Sequence, residues 1–262
     1  LVPNRIEFGY GLSPAIADEA AKLSPDLIVT VDNGVSSVDG VRRARQHGID
    51  VCVTDHHLPG DELPAASVIA NPNLADESFP GKHLAGVGVA FYVLAALGRA
   101  LAARGRIDAG RARSIVAGGL DLVALGTVAD LVTLDFNNRI LVAEGLARMR
   151  AGAARPGIRA LFAVAGRSLH GACAADLGYA VAPRLNAAGR LTDMSMGIDC
   201  LLAENDRAAV RLAEKLDALN VERRQLQAKM EAEARGHVAA ATRSLGAARD
   251  DAYCLFDTGW HE

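Results

Sequence analysis

The sequence predicts an α/β protein, with a parallel-sheet domain, a helical extension and a long connecting helix. Three observations carry this reading. A strand, helix, strand unit spans 26–55, the apolar pattern turns helical after Gly81, and 205–245 contains no proline.

Taken in order, Ser13-Pro14 before Ala15 to Ala21 supplies a cap, a first-turn proline and two acids near the positive helix end, so a helix starts there. Asp26 to Asp32 is a short β-branched run closed by Asn33-Gly34, which reads as a buried strand ending in a turn. Ser37 to Gln46 reads as a helix stopped at His47-Gly48, Asp50 to Asp55 as the second strand, and Ser67 to Ala70 as the third. Strand, helix, strand within thirty residues implies parallel strands and a right-handed crossover. Helices are expected in Leu84–Ala103, Ala112–Leu125 with a break at Gly126, Arg139–Met149 and Ile158–Val164.

The 41 residues of 205–245 extend about 60 Å if helical throughout, at ~1.5 Å per residue. Leu212, Leu216, Leu219, Leu226 and Met230 make one narrow apolar seam along them. A charge-balanced helix with one seam reads as a connector packed along a domain. Asp251 to Phe256 then begins another strand. These features divide the chain into a core at 1–200, the connecting helix at 201–248, and the start of a second domain at 249–262. Starting at Leu1 rather than Met and stopping at Trp260-His261-Glu262, the sequence reads as cut at both ends.

Composition narrows the function class. Of 262 residues, 50% are hydrophobic and 23% charged, which excludes disordered and collagen-like chains. Leu84–Leu97, closed by Arg99, falls short of the roughly 18 residues a spanning helix needs, so no membrane crossing is expected. Cys52, Cys173, Cys200 and Cys254 are scattered without zinc spacing, and no secretory signal precedes them, which fits a reduced, cytoplasmic setting. A net charge of −3 gives no bulk attraction to nucleic acid, yet 139–190 carries eight arginines against two acids.

The chemistry concentrates at strand ends. Asp32 and Asp55 close neighbouring strands, and His56 and His57 follow Asp55. Carboxyl ends of parallel strands lie about 4.8 Å apart, and open α/β sheets bind ligands in the crevice beyond them. Carboxylates and an imidazole converging there call for a cation, and the nitrogen donor tilts the choice toward Mn²⁺. Asp130, at the end of an apolar segment, is a third candidate, and Asp121 competes with it on spacing. Gly86-Val87-Gly88 lacks the strand and third glycine of a dinucleotide fingerprint and reads as a helix entry with close backbone packing. His47, His83, His170 and His237 have no companion at ligand spacing.

Thr30-Val31-Asp32-Asn33-Gly34-Val35, Val53-Thr54-Asp55-His56-His57, the 121–130 segment and Pro183-Arg184-Leu185-Asn186-Ala187-Ala188-Gly189-Arg190 resemble, in order and spacing, the RecJ family of the DHH phosphoesterase superfamily. The triplet alone marks the superfamily; the Pro183–Arg190 stretch with the long helix after it singles out RecJ. The resemblance implies a DHH phosphoesterase domain and metal-dependent, 5′→3′ single-stranded-DNA exonuclease activity in DNA repair and recombination. It implies that Asp32, His56 and Asp130 bind Mn²⁺ or Mg²⁺ in a two-metal site, that Asp55 orients the histidine pair, and that His57 faces the scissile phosphate. Arg184, Asn186 and Arg190 match positions that hold DNA, and Arg5 matches an arginine that reaches its 5′ end. The partners implied are single-stranded DNA, a single-stranded-DNA-binding protein and a RecQ-type helicase.

The family's first Asp-rich motif would precede Leu1, and its second domain would begin near Gly259, so this polypeptide alone is expected to have little or no exonuclease activity. Two rival readings stay open at this level. One is a hydrolase of oligonucleotides, cyclic dinucleotides or pyrophosphate, which has less reason to carry 139–245. The other is a non-catalytic DNA-binding scaffold, which gains nothing from clustered acids that need a cation.

Overall fold

The computed structural model describes residues 8–245 and 253–260, with side chains up to residue 239 and again from 253. Arg5, Asp251 and the last two residues lie outside that range. The N-terminal layer runs α1 (Pro14–Ala21), β1 (Leu27–Val31), α2 (Val38–Gln46), β2 (Asp50–Thr54) and β3 (Val68–Ala70). Ser13 caps α1 by accepting from the Ile16 amide.

The three strands are parallel in the order β1-β2-β3, with Ile28 opposite Val51 and Cys52 opposite Val68. One face packs on α1 and α2 through Leu12, Ile16, Ala17, Val41, Ala44, Val51 and Val53. The sequence pattern predicts β1 as fully buried; instead Leu27, Val29 and Val31 are each about half exposed. β1 is one of the two edge strands among the described residues, and of its alternating faces only that of Ile28 and Thr30 turns inward, with Ile28 packed on the α1 and α2 cluster.

The helical part follows as α3 (Gly86–Ala103), α4 (Ala109–Gly118), α5 (Leu120–Ala129), α6 (Phe136–Arg150), α7 (Pro156–Val164), α8 (Ala182–Leu191), α9 (Ser195–Leu202) and α10 (Asp206–Leu245). A π-helical turn, Asp176–Val181, leads directly into α8. The apolar run predicted as one helix over 112–125 divides at Gly119, and α5 passes through Gly126 without breaking. Gly126 is where Val87 of α3 crosses α5: a Cβ there would fall 2.7 Å from Val87 Cγ1, so the glycine marks a close crossing rather than a stop. The boundary predicted at 200/201 falls inside α9.

The larger core lies among α5 to α10 and includes Met149, Ile158, Leu161, Phe162, Leu177 and Leu216. Ala209, Ala213 and Leu216 of α10 are buried there, with Leu212 and Leu219 packed alongside, so the predicted seam is used in the first turns of the long helix. The strand predicted at 251–256 does not appear in the part described: residues 253–256 are irregular, and a turn closes from the Trp260 amide to the Asp257 carbonyl at 3.1 Å. A strand needs a neighbour for its ladder, and none of the described strands pairs with this segment.

Two helical stretches, Gly86–Ala103 and Ala109–Ala129, are long and apolar enough to cross a membrane by length and composition alone. The first runs on past Arg99, so the length argument against a span does not hold for α3. Both stretches form part of the scaffold of the strand-end site: α3 begins against Asp32, and α5 ends one residue before Asp130.

Candidate metal centre

The ladder carries both strand-end aspartates into register. The Asp32 amide donates to Thr54 O at 2.9 Å and the Asp55 amide to Ala70 O at 3.1 Å, so each stands just past the carboxyl end of its strand. Asp32 has φ +64°, a left-handed conformation that favours glycine, and Leu131, next to Asp130, has φ +58°. Both turns re-aim the chain where a carboxylate is delivered. Gly34 (φ +118°) completes the first turn, with Thr30 Oγ1 and Val53 packed against the space a side chain would take.

These elements bring Asp32, His56 and Asp130 together. His56 Nε2 lies 3.1 Å from Asp32 Oδ1 and 3.5 Å from Asp130 Oδ2. His57 joins the group: ligand atoms of Asp32, His56 and His57 all lie within 4.8 Å of one another. The Asp32 carboxylate oxygen 3.1 Å away, with help from the Asp130 charge, holds the His56 imidazole above the usual histidine range against the effect of burial. Burial, reinforced by the Asp32 charge, pushes the Asp130 carboxyl up despite the opposing pull of His56. Anions crowded around one imidazole in this way are the electrostatic mark of a place for a cation.

Asp55 plays a different part. It is 1% exposed, and its Oδ2 accepts from the Val35 amide at 2.9 Å. Its Oδ1 accepts from the amides of His56 (2.7 Å) and His57 (3.2 Å) and faces His57 Nδ1 at 2.7 Å. Burial alone would raise this carboxyl, but the donors from Val35, His57 and His56 outweigh it and hold it below the usual range. A carboxylate can only accept, so His57 Nδ1 carries the hydrogen and Nε2 of the neutral ring is left with its lone pair.

The fit to a divalent cation rests on the side chains themselves. His56 Nε2 is buried with no hydrogen-bond partner of acceptable geometry. Gly86 lies against Asp32, where any side chain would intrude on the carboxylate. Two carboxylates and imidazole nitrogen form the mixed donor set suited to Mn²⁺, with Mg²⁺ served by the oxygens.

A cleft of about 400 Å³ opens beside the group, lined by Asp32, Gly86 and Asp130 and, from α8 and the residues after it, by Leu185, Asn186 and Met194. Asn186 therefore belongs to the site, and Arg190, one helical turn further along α8, is exposed. Arg184 does not reach the cleft surface as the sequence reading expects. Its side chain is 13% exposed, donates to Ala180 O at 2.5 Å and pairs with Asp217 of α10 at 2.8 Å.

The same correction applies to the arginine-rich segment. Arg155, Arg159, Arg167 and Arg184 each face an aspartate within 4.0 Å, namely Asp121, Asp206, Asp176 and Asp217, so acids neutralise half of the segment's eight arginines, three of those acids coming from outside it. Asp121 is removed from metal binding by the same pairing: it is 1% exposed and held by Arg155. Two residues the sequence reading passed over, Asn71 and Asn73, reach the carbonyls of His57 and His56. Their only signal in the sequence is an Asn-Pro-Asn turn after β3.

Comparison with known proteins gives a consistent picture. The N-terminal domain of the DHH family matches residues 1–127. The single-stranded-DNA-specific exonuclease RecJ of Dickeya dadantii is 57% identical over 235 residues, covering 89% of this chain and 41% of the relative. The chain thus spans about two fifths of the length of such curated relatives. A crystal structure of exonuclease RecJ bound to manganese matches with a TM-score of 0.75 and 34% identity, over 88% of this chain and 55% of that one. RecJ from Thermus thermophilus in complex with Mn²⁺ matches with a TM-score of 0.71 and 34% identity, over 83% of this chain and 31% of that one.

Proposed function

We propose, from the match of residues 1–127 to the N-terminal domain of the DHH family and the identity to RecJ exonucleases, that this chain is the phosphoesterase core of a metal-dependent, single-stranded-DNA-specific 5′→3′ exonuclease of the RecJ type. The observation that carries the reading is the convergence of Asp32, His56 and Asp130 at the sheet's carboxyl edge, facing a cleft that also holds Asn186. Asp32, His56 and Asp130 would hold Mn²⁺ or Mg²⁺, with His57 beside them. When bound, such a cation stabilises charge on the attacking and leaving oxygens of phosphodiester hydrolysis.

The chain's own residues do the rest. Asp55 fixes the His57 tautomer and keeps its Nε2 available to a phosphate or a ligand. The apolar wall of Leu185 and Met194 limits water beside the carboxylates, and Asn186 offers an amide to a strand lying in the cleft. Arg190 supplies positive charge on the same helix, and we assign the 5′-end contact to Arg5. In the cell this reading places the protein in DNA repair and recombination in the cytoplasm, working with a single-stranded-DNA-binding protein and a RecQ-type helicase.

The test is Mn²⁺-dependent release of nucleotides from 5′-labelled single-stranded DNA, comparing the intact protein with residues 1–262 alone. Activity in the intact protein, lost with EDTA and absent on duplex DNA, is the expected result. Binding of single-stranded DNA without cleavage would instead support a scaffold.

A further inference from the structure

Every backbone donor and acceptor of the His56-His57 dipeptide is held by a side chain. Both amides donate to Asp55 Oδ1. The His56 carbonyl accepts from Asn73 Nδ2 at 2.6 Å and the His57 carbonyl from Asn71 Nδ2 at 2.9 Å. Chain turns ordinarily satisfy such groups with neighbouring backbone or water. Here two strand ends supply a carboxylate for the donors and two amides for the acceptors.

We propose that Asn71 and Asn73 are positioning residues for the metal centre: by fixing the two histidine carbonyls they set where both imidazoles point. The role rests on reading Asp32 and His56 as metal ligands. Each asparagine directs its side-chain amide at a histidine carbonyl, so each acts through the backbone of the histidines.

The orientation of the pair is determined internally. Asn71 Oδ1 accepts from the Asn73 amide at 2.8 Å, which leaves the Asn71 NH₂ as the group facing the His57 carbonyl. Pro72 fixes the turn between them and disfavours a helical conformation at Asn71. Lys82 closes the loop from behind, with Nζ on Pro72 O at 2.5 Å and Glu77 O at 2.6 Å. Asn71 is 4% exposed, so an amide left without its partner there would be costly, and the arrangement is held as a unit.

The consequence concerns affinity more than folding. Groups that orient a ligating histidine typically contribute on the order of tenfold to a hundredfold in metal affinity. Asn73 is half-buried, and its removal frees the His56 carbonyl while leaving Asp55 and the sheet ladder intact.

The experiment uses the intact protein and Mn²⁺ itself. Isothermal titration gives Mn²⁺ affinity for the wild type, Asn73→Ala, Asn73→Asp and Asn71→Ser. The Mn²⁺ dependence of single-stranded-DNA cleavage and the melting temperature in EDTA are measured alongside. The expected result is affinity weakened by roughly tenfold or more in both Asn73 variants. Cleavage should recover at raised Mn²⁺, with metal-free melting close to wild type. Asn73→Asp keeps the shape but loses the donor, so it separates hydrogen bonding from packing, and the Asn73 variants decide the matter if Asn71→Ser does not fold. Mn²⁺ affinity within twofold of wild type in both would overturn the role. A wild type that takes up no Mn²⁺ would overturn the metal reading beneath it, a failure visible before any variant is compared.

Discussion

Gly86 stands at the first position of α3 directly against the side chain of Asp32. A Cβ built on Gly86 would lie 2.6 Å from both Cβ and Cγ of Asp32 and would overlap its Oδ1. The helix start and the strand-end carboxylate therefore share a space that only a glycine leaves open, and the positive end of the helix lies beside an anion.

Gly86→Ala should consequently cost both metal affinity and stability. Asp32 Cβ is fixed to the backbone and cannot swing clear, so the helix start or the strand end must shift, and the melting temperature should fall despite the better helix propensity of alanine. Mn²⁺ affinity should fall by an order of magnitude or more, because the shift that admits the methyl carries the Asp32 carboxylate away from His56. Circular dichroism melting with isothermal titration checks both halves, and unchanged Mn²⁺ affinity would mean that Asp32 has another productive rotamer.

Asp32→Ala in the intact protein should abolish metal-dependent cleavage while single-stranded-DNA binding stays measurable, since Asn186 lines the cleft from α8 and Arg190 is exposed one turn further along that helix. Filter binding in EDTA and nucleotide release in Mn²⁺ read the two properties separately. Full cleavage by the variant would remove Asp32 from the mechanism.

The site was legible in the sequence where local pattern and topology coincide. Two short apolar runs each ending in aspartate, joined by a helix, place Asp32 and Asp55 on adjacent parallel strands, and the ladder does so. Asp130 was legible only as an acid closing an apolar segment, because its approach to His56 depends on how α5 crosses α3 at Gly126 and Val87. Arg184 shows the limit. A sequence reports which charges are near along the chain, whereas the partner that buries this arginine, Asp217, arrives from a different helix. The half-exposed face of β1 was invisible for the same reason, since hydrophobicity does not say whether a strand has a neighbour on its far side.

Asp121 offers a stability test outside the site. Its carboxylate accepts from the Leu122 amide, the Arg155 amide and two nitrogens of the Arg155 side chain, at 2.8 to 3.0 Å, and it is 1% exposed. Removing one partner of a buried pair leaves the other without compensation, at a cost of roughly 3–5 kcal/mol. Asp121→Ala should lose stability on that scale in urea denaturation and lower activity only in proportion to the unfolded fraction. A loss under about 1 kcal/mol would show that Arg155 finds water instead.

The acid limb of the stability curve should carry a contribution from Asp18. A hydrogen bond from Arg43 Nε at 2.6 Å, followed by one from His47 Nε2 at 2.6 Å, holds this carboxyl below its ordinary 3.8. A carboxyl depressed on folding stabilises the protein above its unfolded value, and the contribution disappears as pH falls through the lower folded value. The pair is exposed, so the effect should be small and diminish with salt. Asp18→Asn should flatten the pH dependence of stability below about pH 4 and leave it unaltered at pH 7 to 8 apart from a constant offset. Parallel limbs for the two proteins would show that the contact is not kept in solution.

Arg184 and Arg190 stand six residues apart on one helix and should report different things. Arg184 is enclosed between the π-helical turn and α10, bonded to Ala180 and Asp217, so Arg184→Ala should act on stability. Coupling to Asp217→Ala in a double-mutant cycle should fall within about 0.5–3 kcal/mol, because each single variant leaves a mostly buried charge without its partner. Arg190 is exposed and ends the same stretch. Arg190→Ala should leave melting unchanged, weaken single-stranded-DNA binding, and reduce the slope of log affinity against log salt by about 0.7, the share of one phosphate contact on a single strand. If Arg184→Ala instead lowered that slope with no loss of stability, its pairing with Asp217 would have to open when DNA enters the cleft, and α10 would then be a moving part of the site.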